Sequence, residues 1–299
     1  VLKVSIVIPS VNNARRLETT LVSLLENRPS DCEIVVPHCG YYDDPYNIAD
    51  EVRLVEVPAA RTEMELLAVA WSMCRAPIVH TLVAGATVEV GWLDTVLPKF
   101  ERMEVSAVTP AALFADRDDP VFGVQADTMG VRAAGTASSM QGPMWQAAFY
   151  RYSLLEALGG FCTRLEEYAD LDIALWIAQA GGVCPVASDC QIEINDPCDL
   201  NQVTSPRIRL AKTLQLRHQN WFAAQGKGSG KLGWLSRSVG SGSLATMMSA
   251  LTAKADMNAA QHRLPNLDEV RAVIAGQGQT FRFEPRPEDQ NSAYHRHAA

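Results

Sequence analysis

The chain has 299 residues, of which 47% are apolar and 20% charged, with a formal net charge of −8. This is the composition of an ordinary soluble globular protein and leaves room for one large domain, or one domain with an appendage. No stretch approaches the roughly 20 apolar residues that cross a bilayer, and the opening VLKVSIVIPS lacks the long apolar run of a signal peptide. A cytoplasmic location is therefore expected.

The charge is unevenly placed. Residues 1–200 carry 13 Lys/Arg against 28 Asp/Glu, whereas residues 201–299 carry 13 against 6. Between Leu200 and Ala255 eight basic residues occur and no acidic one. The expected organisation is a first part, 1–200, and a basic helical extension, 201–299. Seven cysteines are present without a CxxC pair, which argues against a zinc knuckle. Cys184, Cys190 and Cys198 could touch a metal or remain reduced thiols.

In chain order, residues 4–8 form an apolar, β-branched run that predicts a strand. Asn12 or Asn13 can cap a helix presenting Leu17, Leu21, Leu24 and Leu25 on one side. Residues 33–36 and 53–57 predict two more strands. Thr62 and Glu65 form a capping box that opens a helix to about Met73. Pro77 leads into a strand over 78–83. Strands and helices alternating at this spacing predict a mostly parallel sheet covered by helices.

Residues 105–150 predict strands and a loop. A short helix over 153–158 stops at Gly159-Gly160, and one over 171–180 stops at Gly181-Gly182. Residues 183–186 predict one further strand. Ser205-Pro206 opens a helix carrying Ile208, Ala211, Leu214, His218 and Trp221, which is expected to end at Gly226. A Gly/Ser-rich linker, GKGSGKLG, follows. Residues 241–262 are helix-prone, and the final dozen residues read as disordered.

Several chemical motifs fail. GKGSGKLG follows a helix rather than a strand and puts Leu232 where a phosphate-binding loop needs Ser or Thr. No GxGxxG closes the first strand, and neither GxSxG nor HExxH occurs.

Four blocks carry a resemblance. They are VSIVIPSVNNARRLETTLVSLLE (4–26), EIVVPHCGYYDDP (33–45), APIVHTLVAGATVEVGWLD (76–94) and GGFCTRLEEYADLDIALWIAQAGG (159–182). In order and spacing they resemble family 2 glycosyltransferases. The resemblance implies an α/β fold of the GT-A type, mostly parallel sheet flanked by helices, with a donor-binding half and an acceptor-binding half. It implies that Pro9, Ser10, Asn12, His38, Gly40, Arg61, Val83 and Gly85 lie about a nucleotide sugar, UDP- or GDP-linked. Asp170 falls on the general base, and Asp172 and Trp176 fall on the acceptor side.

The chain departs from that pattern. The metal-binding Asp-x-Asp falls on Val83-Ala84-Gly85, whose side chains offer no oxygen to a hard divalent ion. The expectation is that no metal binds at 83–85 and that no cofactor is required. The acidic pair after the second strand becomes His38-Cys39, where His38 can meet a base edge or be a loop histidine. Asp170 lacks the preceding Glu, replaced by Ala169, and an acid there can equally serve the helix N-terminus. Trp176 stands where many members carry Arg.

Inverting transfer requires a base on the acceptor and positive charge on the departing diphosphate. Without a metal, the charge would come from Arg61, Arg75, Arg132 or the basic segment 207–237. That segment, interleaved with Trp221, Phe222 and Trp234, could instead pack on the acidic part or contact a membrane surface. Nucleic acid is not an expected partner of so acidic a chain. A scaffold that has lost catalysis and binds a partner or glycan is the alternative reading.

Overall fold

The computed structural model describes residues 2–127, 130–200, 204–225 and 252–276. Ten strands lie among them: β1 (Val4–Val7), β2 (Cys32–His38), β3 (Arg53–Glu56), β4 (Ile78–Leu82), β5 (Ala86–Val88), β6 (Ala107–Phe114), β7 (Val124–Ala126), β8 (Arg132–Ala134), β9 (Ala147–Arg151) and β10 (Val186–Ile194). Eight form one sheet in the order β3-β2-β1-β4-β9-β6-β10-β5, while β7 and β8 pair separately. Strands β1 to β4 run parallel; β9 is antiparallel to both β4 and β6.

The helices follow from local signals. In α1 (Ala14–Glu26) the Asn13 side chain accepts from the Arg16 amide at 3.1 Å, which closes the N-terminus. Its Leu17, Leu21 and Leu24 are buried against Val4, Ile6 and Ile8 on one face of the sheet. Burying each such leucine contributes about 1.5–3 kcal/mol. Val7 points to the opposite face, as the period of two requires, and joins Met64 and Leu67 of α2 (Glu63–Ala70). The Thr62–Glu65 capping box is formed, and a 3-10 turn carries α2 on to Met73. Helices α3 (Tyr152–Leu158) and α4 (Ala169–Ala180) both end on left-handed glycines, Gly159 and Gly181.

The basic part supplies α5 (Ser205–Arg217), α6 (Gln219–Ala224), α7 (Met257–Ala260) and α8 (Leu267–Ile274). Val270 and Ile274 of α8 join Ile173 and Ile177 of α4 in the second core. The single helix expected from 205 breaks at His218, and Thr204 rather than Ser205 is its N-cap. The GKGSGKLG linker, residues 241–251 of the helix-prone stretch and the final dozen residues lie outside the described residues.

One strand is displaced from its expected place. Val183 makes only an isolated bridge with Val105, and β10 begins at Val186. Ala187, Cys190, Ile192 and Ile194 are buried while Ser188, Asp189, Gln191 and Glu193 are exposed, with a register shift between Ala187 and Gln191. That irregularity breaks the simple alternation by which a half-buried strand is recognised.

Candidate active site

The order β3-β2-β1-β4 places a topological switch between β1 and β4, because the chain leaves β1 to one side and returns on the other. Ligands of open α/β sheets bind outside the strand ends at such a point. Pro9 and Ser10 follow β1, His38 closes β2, and Val83, Ala84 and Gly85 follow β4.

Ser10, His38 and Gly40 are brought together. The Ser10 hydroxyl is hydrogen-bonded to the Tyr41 hydroxyl, and Ser10 bridges His38 between the strand ends. His38 is buried, and its Nδ1 accepts from the Gly40 amide at 3.2 Å. Its ring meets Tyr41 edge-on, with centroids 6.2 Å apart. Burial holds the imidazole below its usual value, with Glu56 and Asp43 opposing the shift. Gly40 has φ +88°, and a Cβ there would stand 2.7 Å from Glu56 Oε1. Asn12 is exposed at the mouth, while Pro9 is buried.

The turn after β4 is tied on three sides. The Gly85 amide donates to Thr20 Oγ1 at 2.8 Å, and its carbonyl accepts from Asn195 Nδ2 at 3.1 Å. The Ala84 carbonyl accepts from Arg16 Nε at 3.0 Å, and Arg16 Nη2 is ion-paired with Asp196. Gly85, at φ +99°, lets Arg16 approach: a Cβ would lie 2.8 Å from Arg16 Nε. Arg61 is elsewhere engaged. It is exposed, and its Nη1 donates to the carbonyls of Pro58 and Ala60 at 2.7 and 2.8 Å.

Asp170 and Asp172 begin α4 and have different partners. Asp170 is fully buried. Arg132 grips it with Nε on Oδ1 at 3.0 Å and Nη2 on Oδ2 at 2.6 Å. The amides of Trp145 and Leu171 donate to the same two oxygens at 3.0 and 2.6 Å. A base must reach the proton it takes; here both oxygens are occupied and neither faces solvent. Burial would disfavour the Arg132 charge, but Asp170 outweighs it and raises its pKa.

Asp172 accepts from Arg217 Nε at 2.7 Å and from His218 Nε2 at 2.6 Å. Gln179 Nε2 lies 2.8 Å from His218 Nδ1, which fits the tautomer with its proton on Nε2. Burial pushes the Asp172 carboxyl up, yet the hydrogen bond from His218 and the bond and charge of Arg217 outweigh it and hold it below the usual range. Trp176 is buried beside both, 4.6 Å from the His218 ring. Gly160, Cys162, Asp172, Trp176, Arg217 and His262 are among the residues around a cavity of about 110 Å³. The Trp176 Nε1–H has no hydrogen-bond partner among the described residues.

Sequence reasoning missed Arg16, Tyr41, Asp196 and Arg217 as residues of these sites. Arg217 stood only within a basic segment. The first turn of α1, with two arginines and no acid, was an available signal for Arg16.

No protein-family model and no curated protein matches the chain. Solved structures do. GalNAc-T7 with UDP, GalNAc and Mn2+ superposes with a TM-score of 0.60 at 12% identity, over 92% of this chain and 55% of that one. The chain thus spans about half the length of that protein. The mannosyltransferase PcManGT from Pyrobaculum calidifontis, in complex with GDP-Man and Mn2+, aligns at 19% identity with a TM-score of 0.49. The alignment covers 92% of this chain and 73% of that one.

The Mn2+ in the GalNAc-T7 structure corrects the expectation that no metal cofactor is required. Within this chain, no group of three or more His, Cys, Asp or Glu that could hold an ion stands together among the described residues, Cys184, Cys190 and Cys198 included. At 83–85 the carbonyls of Ala84 and Gly85 serve Arg16 and Asn195, and Asp196 is engaged by Arg16. These residues do not present a formed metal site. What the superposition establishes is the architecture: a large curled sheet flanked by helices, the GT-A fold of nucleotide-sugar glycosyltransferases.

Proposed function

We propose that the chain binds a nucleotide sugar, UDP- or GDP-linked, at the strand ends of β1, β2 and β4 and transfers its sugar to an acceptor. The switch point between β1 and β4 carries this reading, because Ser10, His38, Gly40 and Gly85 all lie about it. In this reading His38 and Tyr41 wall the base, and the nucleotide's phosphates lie over the turn at 84–85. The acceptor approaches from the side of Asp172 and Trp176. Asp170 acts as a positioning carboxylate that fixes Arg132 and the start of α4, not as the base.

Calorimetric titration with UDP, GDP, UDP-GalNAc and GDP-Man, each with Mn2+ and with EDTA, tests it. Saturable binding of one nucleotide and release of its diphosphate in the presence of acceptor sugars are the expected results. Absence of binding under every condition would overturn it. A second reading, donor binding without transfer, is favoured by the saturation of Asp170. Binding with no turnover would select it.

A further inference from the structure

We infer that Arg16 is the side chain that receives the diphosphate of the donor, and that Asp196 holds its guanidinium until the diphosphate takes the carboxylate's place. This rests on the nucleotide-sugar reading above. Arg16 stands in the first turn of α1, directly after β1, yet its Nε reaches the carbonyl that follows β4. Its guanidinium therefore ties the segment after β4, at one side of the switch point, to Asp196 in the segment after β10. Gly85 makes this possible, since any side chain there would meet Arg16 Nε.

The charge is placed against local preference. The first turn of α1 contains Arg15 and Arg16 and no acid. Helix starts favour anions, and a cation there forgoes roughly 0.3–1 kcal/mol. Two cations in the first turn of a helix add to the positive end of its dipole and concentrate positive potential where an anion would be held. Glu63 lies near enough to act electrostatically on Arg16.

Arg16 differs from Arg132, Arg217 and Arg61 in how its guanidinium is held. Arg132 and Arg217 are 3% and 2% exposed and have their guanidinium groups committed to carboxylates and carbonyls. Arg61 is turned onto its own loop. The Arg16–Asp196 pair is 37% and 39% exposed and uses a single nitrogen of the guanidinium. An exposed pair of that kind contributes about 0–1 kcal/mol. A diphosphate offers bidentate, charge-assisted bonds, which are the stronger kind. Exchange of Asp196 for the diphosphate is thus favoured.

Binding of UDP, GDP, uridine and guanosine to wild type, Arg16→Gln and Asp196→Asn, with Mn2+ present, tests the inference. Arg16→Gln should weaken the diphosphates about tenfold and leave the nucleosides unchanged, as removal of a charged contact to the phosphates predicts. Asp196→Asn should tighten the diphosphates about threefold by removing the competing carboxylate. A folded Arg16→Gln that binds UDP and GDP as wild type does would overturn the inference and leave the nucleotide-sugar reading intact. If Arg16→Gln does not fold, Asp196→Asn decides, and no gain in affinity overturns it. A wild-type protein that binds neither diphosphate removes both readings.

Discussion

The buried Arg132–Asp170 pair separates a structural carboxylate from a catalytic one. Replacing Arg132 by Met removes the donors at 3.0 and 2.6 Å and leaves Asp170, at 0% exposure, with two backbone amides. Breaking a buried pair from one side costs about 3–5 kcal/mol, because a charge is left without its partner. That is a large part of a total stability of about 5–15 kcal/mol. Asp170→Asn strands the Arg132 charge in the same way and should cost a similar amount. The double variant Arg132→Met/Asp170→Leu removes both charges and should regain at least about 2 kcal/mol over either single change. Urea unfolding with matched m-values reads these differences. Single variants within about 1 kcal/mol of wild type would refute the reasoning. So would an Asp170→Asn protein with the wild-type urea midpoint and nucleotide affinity but no sugar transfer, which would restore Asp170 as the base.

His80 is fully buried, stacks on Phe149 at 3.9 Å and is held at about 3 by burial, against the bond from its Nδ1 to the Ala148 carbonyl. The unfolded chain takes up this proton below about pH 6.5 and the folded chain does not, so stability should fall by about 1.4 kcal/mol per unit toward pH 3. His80→Leu should flatten that part of the urea-midpoint profile. Asp172, held below the usual carboxylate range, contributes fully above about pH 4 and loses that contribution as the pH falls through its folded value. Arg217→Ala leaves Asp172 with His218 alone and frees the carbonyls of Ala260 and His262, so hydrogen exchange over 257–274 should accelerate at least tenfold while β1 to β4 stay protected. Gly85→Ala places a methyl group against Arg16 and forces a left-handed alanine, at a cost of about 1–2 kcal/mol. It should lower affinity for UDP and GDP; unchanged affinity would mean that Arg16 does not lie over this turn during binding.

The elements with local punctuation were legible in the sequence. Asn13, the Thr62–Glu65 box, Gly159 and Gly181 each satisfy or end a helix through neighbours a few residues away. β10 was not placed, because its register shift interrupts the alternation that identifies a strand. The four-block resemblance gave the architecture, but the blocks are silent on contacts between them. Asp170 was visible as an acid at a helix start, whereas its role depends on Arg132, which lies 38 residues upstream. Arg16 meets Ala84 across 68 residues and Asp196 across 180. No spacing rule connects such positions, so this part of the site became visible only in the fold.

The same distinction explains where the charge asymmetry goes. Arg207 in the basic part is ion-paired with Glu167 and Asp199, and Arg217 with Asp172, so part of the positive surplus is neutralised on acids of the first 200 residues. Lys227, Lys231 and Arg237, part of the basic segment expected to pack on the acidic part or contact a membrane surface, lie outside the described residues. The arginines that fasten the fold bury their guanidinium groups and fill their donors: Arg151, for instance, gives its donors to the carbonyls of Phe100, Arg102 and Val105. Such a side chain cannot turn to a ligand without leaving carbonyls or carboxylates unpaired in the core. Arg16 differs on both counts, being partly exposed and only partly committed. Saturation of donors, more than the presence of charge, is what divides Arg132, Arg151 and Arg217 from Arg16.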